Sequence, residues 1–301
     1  MTDRLLSEYR SRLPLKHLTL LCGAVRGSYY RRLKRPADMA RGRTRDYRSI
    51  IAWLHRICAH ETGYGYRRVT LHLQRLGYDI NHKCVLRLMR QEKLLWRPRP
   101  RFKTATTDSR HALKVYPNML KSLVVRMLNQ VWVSDITYIH CGHDRLCYLA
   151  VVLDAYSRRC VGWALRGYLD TRLTLEAIQR ALHSRVPPVV HHSDRGRQYA
   201  SDEYIEVLKA HRVRISMSRA GSPYDNALAE SFFKTLKTEE VSLQLYASIK
   251  EARQSISNYI ENRYNRHRLH SSLGYVDPAT YETALPQHRI RTLSPRQPVS
   301  P

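Results

Sequence analysis

Among the 25 Asp and Glu of this chain, Asp135, Asp194 and Glu230 stand out by where they fall. Asp135 lies inside a run of strand-forming residues, Val131 to His140. Asp194 follows the short apolar stretch Val189 to His192 and precedes Arg195-Gly196, so a strand runs into a flexible turn, a usual place for a functional residue. Glu230 sits on a helical repeat, with 35 residues between it and Asp194. Three carboxylates that converge repel one another and raise each other's pKa values unless a cation lies between them. Mg²⁺, with Mn²⁺ as a substitute, suits the place, because it takes oxygen ligands, keeps several waters and completes its shell with substrate phosphates. Two such ions, about 3.5–4 Å apart once DNA is bound, would activate an attacking hydroxyl and stabilise the leaving oxygen of an in-line phosphoryl displacement. Water as attacker cuts a strand; a DNA 3′-hydroxyl joins two. Spacing alone is weak evidence, since many such triples arise by chance, and it is the local context that selects these three. Asp154, Asp170 and Asp202 read as isolated exposed carboxylates.

The elements that must position these acids can be read from periodicity. Val131 to His140, Leu146 to Asp154 and Cys160 to Leu165 are rich in Tyr, Val, Ile and Thr, and Gly142-His143-Asp144 separates the first two, so an antiparallel meander is expected. A helix over Thr171–His183, a strand over Val189–His192, a helix over Ser201–Lys209 and a strand over Val213–Ser216 follow. The expected fold class is α/β: an RNase H-like mixed five-stranded sheet flanked by helices. In that arrangement the first and fourth strands are neighbours, so Asp135 and Asp194 can converge. In the helix after Pro223, Leu228, Phe232 and Leu236 recur every four residues as a buried side, which sets Asn226, Glu230, Lys234 and Lys237 on the opposite side. Glu230 and Lys234 form an i,i+4 pair worth only about 0.2–0.5 kcal/mol, which leaves room for a second role. Lys234 and Lys237 are candidate phosphate contacts, as are Asn226 and Arg195 beside the acids.

The chain of 301 residues carries 52 Lys and Arg, a formal net charge of +27, which points to a polyanionic partner. No apolar run is long enough for a membrane span and no secretory signal is visible, so double-stranded DNA in the cytoplasm is the expected partner. The first hundred residues read as basic helices. Residues 46–58 align Ile50, Trp53, Leu54, Ile57 and Cys58; a second helix carries Tyr66, Val69, Leu73 and Leu76 and should stop at Gly77; Asn81 should cap a third that buries Val85, Leu88 and Met89. Lys83, Arg87 and Arg90 lie on its other side, which fits a helix-turn-helix laid in a major groove; the plainer reading is a solvated basic helix in a small bundle. Leu18 to Leu33 is a weaker candidate for another such unit. The six cysteines form no C-x-x-C pair and read as reduced, mostly buried thiols, and His55, Cys58, His60, His82 and Cys84 lack the paired spacings of structural zinc sites. The expected organisation is a helical DNA-binding region over 1–96, a basic linker over 97–128 containing Arg97-Pro98-Arg99-Pro100-Arg101, a catalytic core over 129–245, a helical extension over 246–285 and a mobile tail over 286–301.

Several segments in order resemble the OrfB transposases of the IS3 family of insertion sequences. They are Tyr64-Gly65-Tyr66-Arg67-Arg68, Val131-Trp132-Val133-Ser134-Asp135, His192-Ser193-Asp194-Arg195-Gly196-Arg197-Gln198-Tyr199, Gly221-Ser222-Pro223-Tyr224-Asp225-Asn226 through Glu230-Ser231-Phe232, and Tyr264-Asn265 with His270-Ser271-Ser272-Leu273-Gly274-Tyr275. The likeness covers roughly Gly63 to Tyr281. It implies an integrase-like core in which Asp135, Asp194 and Glu230 are the metal-binding, catalytic triad, and it places Lys234 and Lys237 where the similar helix of retroviral integrases carries DNA-contacting lysines. It further implies metal-dependent cleavage and strand transfer at element ends, a homo-oligomer on DNA, an upstream OrfA-type protein or fusion as partner, and association with the nucleoid. The competing expectations are a non-catalytic DNA-binding regulator of the complete transposase, indifferent to metal, and a general RNase H-like nuclease without preference for DNA ends.

Overall fold

The structure is a computed structural model that describes residues 47–96, 113–142, 145–219 and 226–285. The expected unit at Leu18–Leu33, the proline-rich linker at 97–103, the turn residues His143 and Asp144, the segment 221–225 and the tail from Pro286 lie outside the described residues. The chain divides into two compact units, residues 1–55 and 56–301.

The boundary falls inside helix α1 (Arg48–His60), whose Ile50, Leu54 and Ile57 form one buried stripe. The second unit begins with a pair of short helices. In α2 (Tyr66–Arg75) Val69 and Leu73 are buried, and the helix ends before Gly77, which takes the left-handed conformation that glycine tolerates (φ 88°). Leu76, expected on the buried side, is 46% exposed because the helix has already ended at Arg75. The Asn81 side chain accepts the Lys83 N–H and so caps α3 (His82–Gln91), which buries Val85, Leu88 and Met89 and leaves Lys83, Arg87 and Arg90 exposed.

The sheet is built from β1 (Val131–His140), β2 (Leu146–Asp154), β3 (Cys160–Arg166), β4 (Val190–Ser193) and β5 (Arg214–Met217), in the order β3-β2-β1-β4-β5. The first three strands pair antiparallel; β4 runs parallel to β1, and β5 parallel to β4. A parallel pair needs a crossover, and α4 (Thr171–Ser184) supplies it between β3 and β4. Strand alternation gives the sheet two buried faces. Trp132, Ala150, Val152 and Ala164 pack with Leu173, Ala177 and Ile178 of α4. Val131, Val133, Leu149, Val151 and Trp163 pack instead with α7 (Ala227–Glu239) and α8 (Ile249–Asn258), once α5 (Arg197–Ala200) and α6 (Asp202–Ala210) have passed. Gly162 permits α4 to lie close, since a Cβ there would run into the Ala177 carbonyl and the Ala181 side chain. This is the RNase H-like architecture, with an N-terminal helical region.

The chain closes on the core with a π-helical turn (Tyr259–Tyr264) continuing α8, and with α9 (Pro278–Thr283) capped by Asp277. Asn265 bonds both the N–H and the C=O of Cys160, and Glu282 accepts from Ser157, Arg159 and Arg185. Two expectations need correction here. Asp154 is not an isolated exposed carboxylate: it is 0% exposed and accepts the N–H groups of Asn129, Tyr156 and Ser157, closing the turn after β2. Cys141 and Cys147 are not separate thiols; the β1–β2 hairpin brings their Cα atoms to 6.2 Å and they form a disulfide, while Cys58, Cys84 and Cys160 are free. Among the described residues no group of three His, Cys, Asp or Glu is spaced to hold a metal ion. No described helix is long and apolar enough to cross a membrane.

Candidate active site

The parallel ladder pairs Val131 with Val190, Trp132 with His191 and Val133 with His192. Asp135 and Asp194 each lie two residues beyond the last of these pairs, at matched positions where the two central strands part. Asp135 has the parity of Val133, whose face packs on α7. Glu230 lies in the first turn of α7, on its exposed side, and that helix packs on β1.

The electrostatics bind these acids into one group. Burial, and after it the charge of Asp194 and more weakly that of Glu230, push the Asp135 carboxyl up to about 8 against the Ile136 N–H that its Oδ1 accepts at 2.8 Å. Asp194 Oδ1 accepts the Gly196 N–H at 2.9 Å, and glycine is needed there, since a Cβ would lie 2.9 Å from that same oxygen. The described side chains form no three-ligand cage around one point, and Asp194 acts on the Asp135 carboxyl more strongly than Glu230 does. The donor set still suits a hard divalent cation: three carboxylates, one of them destabilised as an anion by its neighbours, which is the repulsion a cation removes.

Buried polar side chains that sequence reasoning missed lie along β4, His191 on the sheet face of Trp132 and His192 on that of Val133. His191, fully buried, shares its Nε2 with Ser134 Oγ (2.8 Å) and the Tyr204 hydroxyl (3.0 Å), and burial, then His192, holds it neutral with a pKa of about 3. His192 spans Ser216 and Ser218 on β5 and just beyond it, and the Met119 N–H donates to Ser216 Oγ. Tyr199 is buried against His191 and Tyr204, and its hydroxyl has no partner among the described residues. The run of polar residues in the otherwise apolar strand Val189–Ser193 was the available signal, because buried polar side chains in a central strand need partners.

The expected DNA contacts are distributed unevenly. Lys234 is exposed beside Glu230, and Lys237 rests its ammonium 4.2 Å from the centre of the Tyr138 ring. Arg195 donates from Nε to the Ser218 carbonyl at 2.7 Å. Asn226, expected on the exposed side, is instead 7% exposed and directs Nδ2 at the Ser134 carbonyl, because it precedes α7 where the chain meets β1. The buried stripe of α7 is correspondingly Ala229, Phe232, Phe233 and Leu236, with Leu228 only half-buried.

The order of the sheet and its flanking helices define a core of the integrase class, and the family models agree. Models of an integrase core domain match residues 126–223 and 211–278, and a model of an HTH-like domain matches 44–102. The chain is 39% identical to the transposase InsF of insertion sequence IS3A from Escherichia coli K12, over 73% of this chain and 76% of that protein. It is equally identical to an uncharacterized 31 kDa protein of insertion element IS600 from Shigella sonnei, over 72% of this chain and 80% of that one. A solved intasome of simian T-cell lymphotropic virus is similar at 15% identity and a TM-score of 0.46, covering 82% of this chain and 78% of that one. The chain belongs to the IS3 family of insertion-sequence transposases. It is a DNA transposase, an enzyme of the polynucleotidyl transferase class.

Proposed function

We propose that Asp135, Asp194 and Glu230 are the catalytic and metal-holding residues with which this transposase cuts and joins DNA strands at the ends of its element. The observation that carries this reading is that the β1–β4 ladder ends at Val133 and His192, two residues before Asp135 and Asp194, with an Asp135 carboxyl disfavoured as an anion first by burial and then by the charge of Asp194. Two Mg²⁺ or Mn²⁺ ions bound there with the substrate phosphate would supply activation of the attacking hydroxyl and stabilisation of the leaving oxygen. The aspartates hold the fixed side of such a site, because Asp135 belongs to β1 and Asp194 follows directly on the last residue of β4. Glu230 stands on a helix and closes the other side when DNA arrives. Lys234 and Lys237 follow on α7, where they would grip phosphates flanking the scissile bond, and Arg195 would do so from the turn after β4. The exposed cations of α3, Lys83, Arg87 and Arg90, would hold the element end by its backbone. Partners under this reading are element-end and target DNA, further copies of the chain on that DNA and an upstream OrfA-type protein, all on the nucleoid in a bacterial cytoplasm.

The test is direct. Purified protein, Mg²⁺ and labelled element-end duplex should give nicked or joined strands, and Asp135→Asn should abolish both while leaving binding near wild type. Full activity in that variant refutes the site assignment. DNA binding that never leads to cleavage, and that chelator does not alter, would identify a regulator instead, whereas degradation of random duplex would identify a general nuclease.

A further inference from the structure

The motif Tyr64-Gly65-Tyr66-Arg67-Arg68 has no part in the site above, yet the structure gives it a definite place. It meets the carboxyl end of α7 at a buried ion cluster. Glu239, 4% exposed, accepts Arg268 Nε on both carboxylate oxygens at 3.0 Å, and the Tyr259 hydroxyl at 2.9 Å. A second Arg268 nitrogen lies 2.9 Å from the same carboxylate and 3.5 Å from the Thr235 hydroxyl. From the α2 side, the Arg68 guanidinium lies 4.0 Å from Glu239 and packs 5.1 Å from the centre of the Tyr64 ring. The Tyr64 hydroxyl accepts the Leu269 N–H at 3.0 Å. Gly63, in left-handed backbone (φ 81°), passes so near that a Cβ there would lie 3.0 Å from Glu239 Cγ.

Stability is a poor reason for such a cluster. Desolvating a carboxylate and two guanidiniums costs several kcal/mol, and a well-packed apolar group is often as stable. What charges with fixed hydrogen bonds add is a single allowed geometry. Glu239 ends the same helix on which Glu230 lies nine residues earlier, about 13 Å along the axis. A rigid joint at one end of α7 therefore fixes α2 and α3 relative to the acids at the other end.

Resting on the function proposed above, we infer that the Glu239–Arg268–Arg68 cluster is a positioning joint: it registers DNA held by α3 against Asp135, Asp194 and Glu230, and so selects which phosphodiester is cut. Arg68, Tyr64 and Glu239 are positioning residues that touch no substrate.

Arg68→Gln tests this without stranding a buried charge, because Glu239 keeps Arg268 and Tyr259. Tyr64→Phe is a second variant on the same joint, so one that fails to fold leaves the other to decide. Each is incubated at saturating concentration with Mg²⁺ and end-labelled duplex carrying the element's own terminal repeat, and cuts are mapped to the nucleotide. The expected result is near-normal binding, about tenfold slower cutting at the wild-type bond, and new cuts at neighbouring phosphodiesters, with Arg68→Lys partly restoring the single position. Cutting confined to the wild-type bond overturns the inference, even if the melting temperature falls, since that is the outcome of a merely structural cluster. Wild-type protein that fails to cut at all would instead refute the transposase site, a result this design separates.

Discussion

Asp135 and Asp194 stand at matched positions of adjacent parallel strands, each two residues past the Val133–His192 pair that ends the β1–β4 ladder. Backbone pairing thus fixes one side of the site before any ligand is present. Burial first, and then the charge of Asp194, hold the Asp135 carboxyl at about 8, and a divalent cation would relieve the repulsive part of that effect.

Asp135→Asn removes a ligand whose contribution to transition-state charge is several kcal/mol, which corresponds to a loss of about a thousandfold or more in strand cleavage. The same protein tests metal binding by mass action. Mg²⁺ should raise the melting temperature of the wild type, and should raise that of the variant much less. An equal rise in both would place the ion elsewhere.

Gly196→Ala puts a methyl 2.9 Å from Asp194 Oδ1 and must displace that carboxylate or the turn. The Gly196 backbone is extended (φ −61°, ψ 142°), a conformation that alanine adopts, so folding should survive. Cleavage should fall about a hundredfold, the effect of an ångström-scale misplacement of a reacting group. Circular dichroism with single-turnover cleavage separates the two readouts, and unchanged cleavage would show that the Asp194 rotamer is immaterial.

Neutralising Lys83, Arg87 and Arg90, all exposed on α3, should weaken DNA binding across sequences. The slope of log K against log salt should become shallower by about one unit per lost phosphate contact. Filter binding over a salt series reads this, and an unchanged slope means that α3 does not touch the DNA backbone.

Burial opposes the charge of Glu282, but Arg185, the Ser157 hydroxyl and Arg159 overcome it and hold the carboxyl below its ordinary value of 4.5. A depressed carboxylate pKa contributes stability that is present above 4.5 and lost as pH falls through the lower folded value. Glu282→Gln should therefore be less stable than wild type at neutral pH by about 1.5–3 kcal/mol, with the gap closing in acid. Denaturant titrations at pH 7 and pH 3 check it; a gap constant with pH would mean that the charge is irrelevant to docking α9.

Much of this was legible locally. The strand-forming runs around Asp135 and before Asp194, the Asn81 cap and the stop at Gly77 follow from side-chain alternation, capping chemistry and the conformational freedom of glycine, all of which act over a few residues. What failed did so where a distant partner decides. Asp154 looked like a surface acid but accepts three N–H groups, Asn226 was expected among exposed cations but lies against Ser134, and Cys141 pairs with Cys147 only because the hairpin register brings them together.

The linear order of residues determined the class of fold and the basic character and singled out the three acids as candidates, since periodicity, charge and motif are carried by neighbours in the chain. Only the folded chain decided that the β1–β4 ladder ends two residues before both Asp135 and Asp194, that His191 and His192 find buried polar partners on opposite faces of β4, and that Glu239 joins α7 to α2. The contacts behind them include His191 with Ser134, 57 residues apart, and Glu239 with Arg268, 29 apart, and burial and charge pairing across such distances depend on how the layers pack.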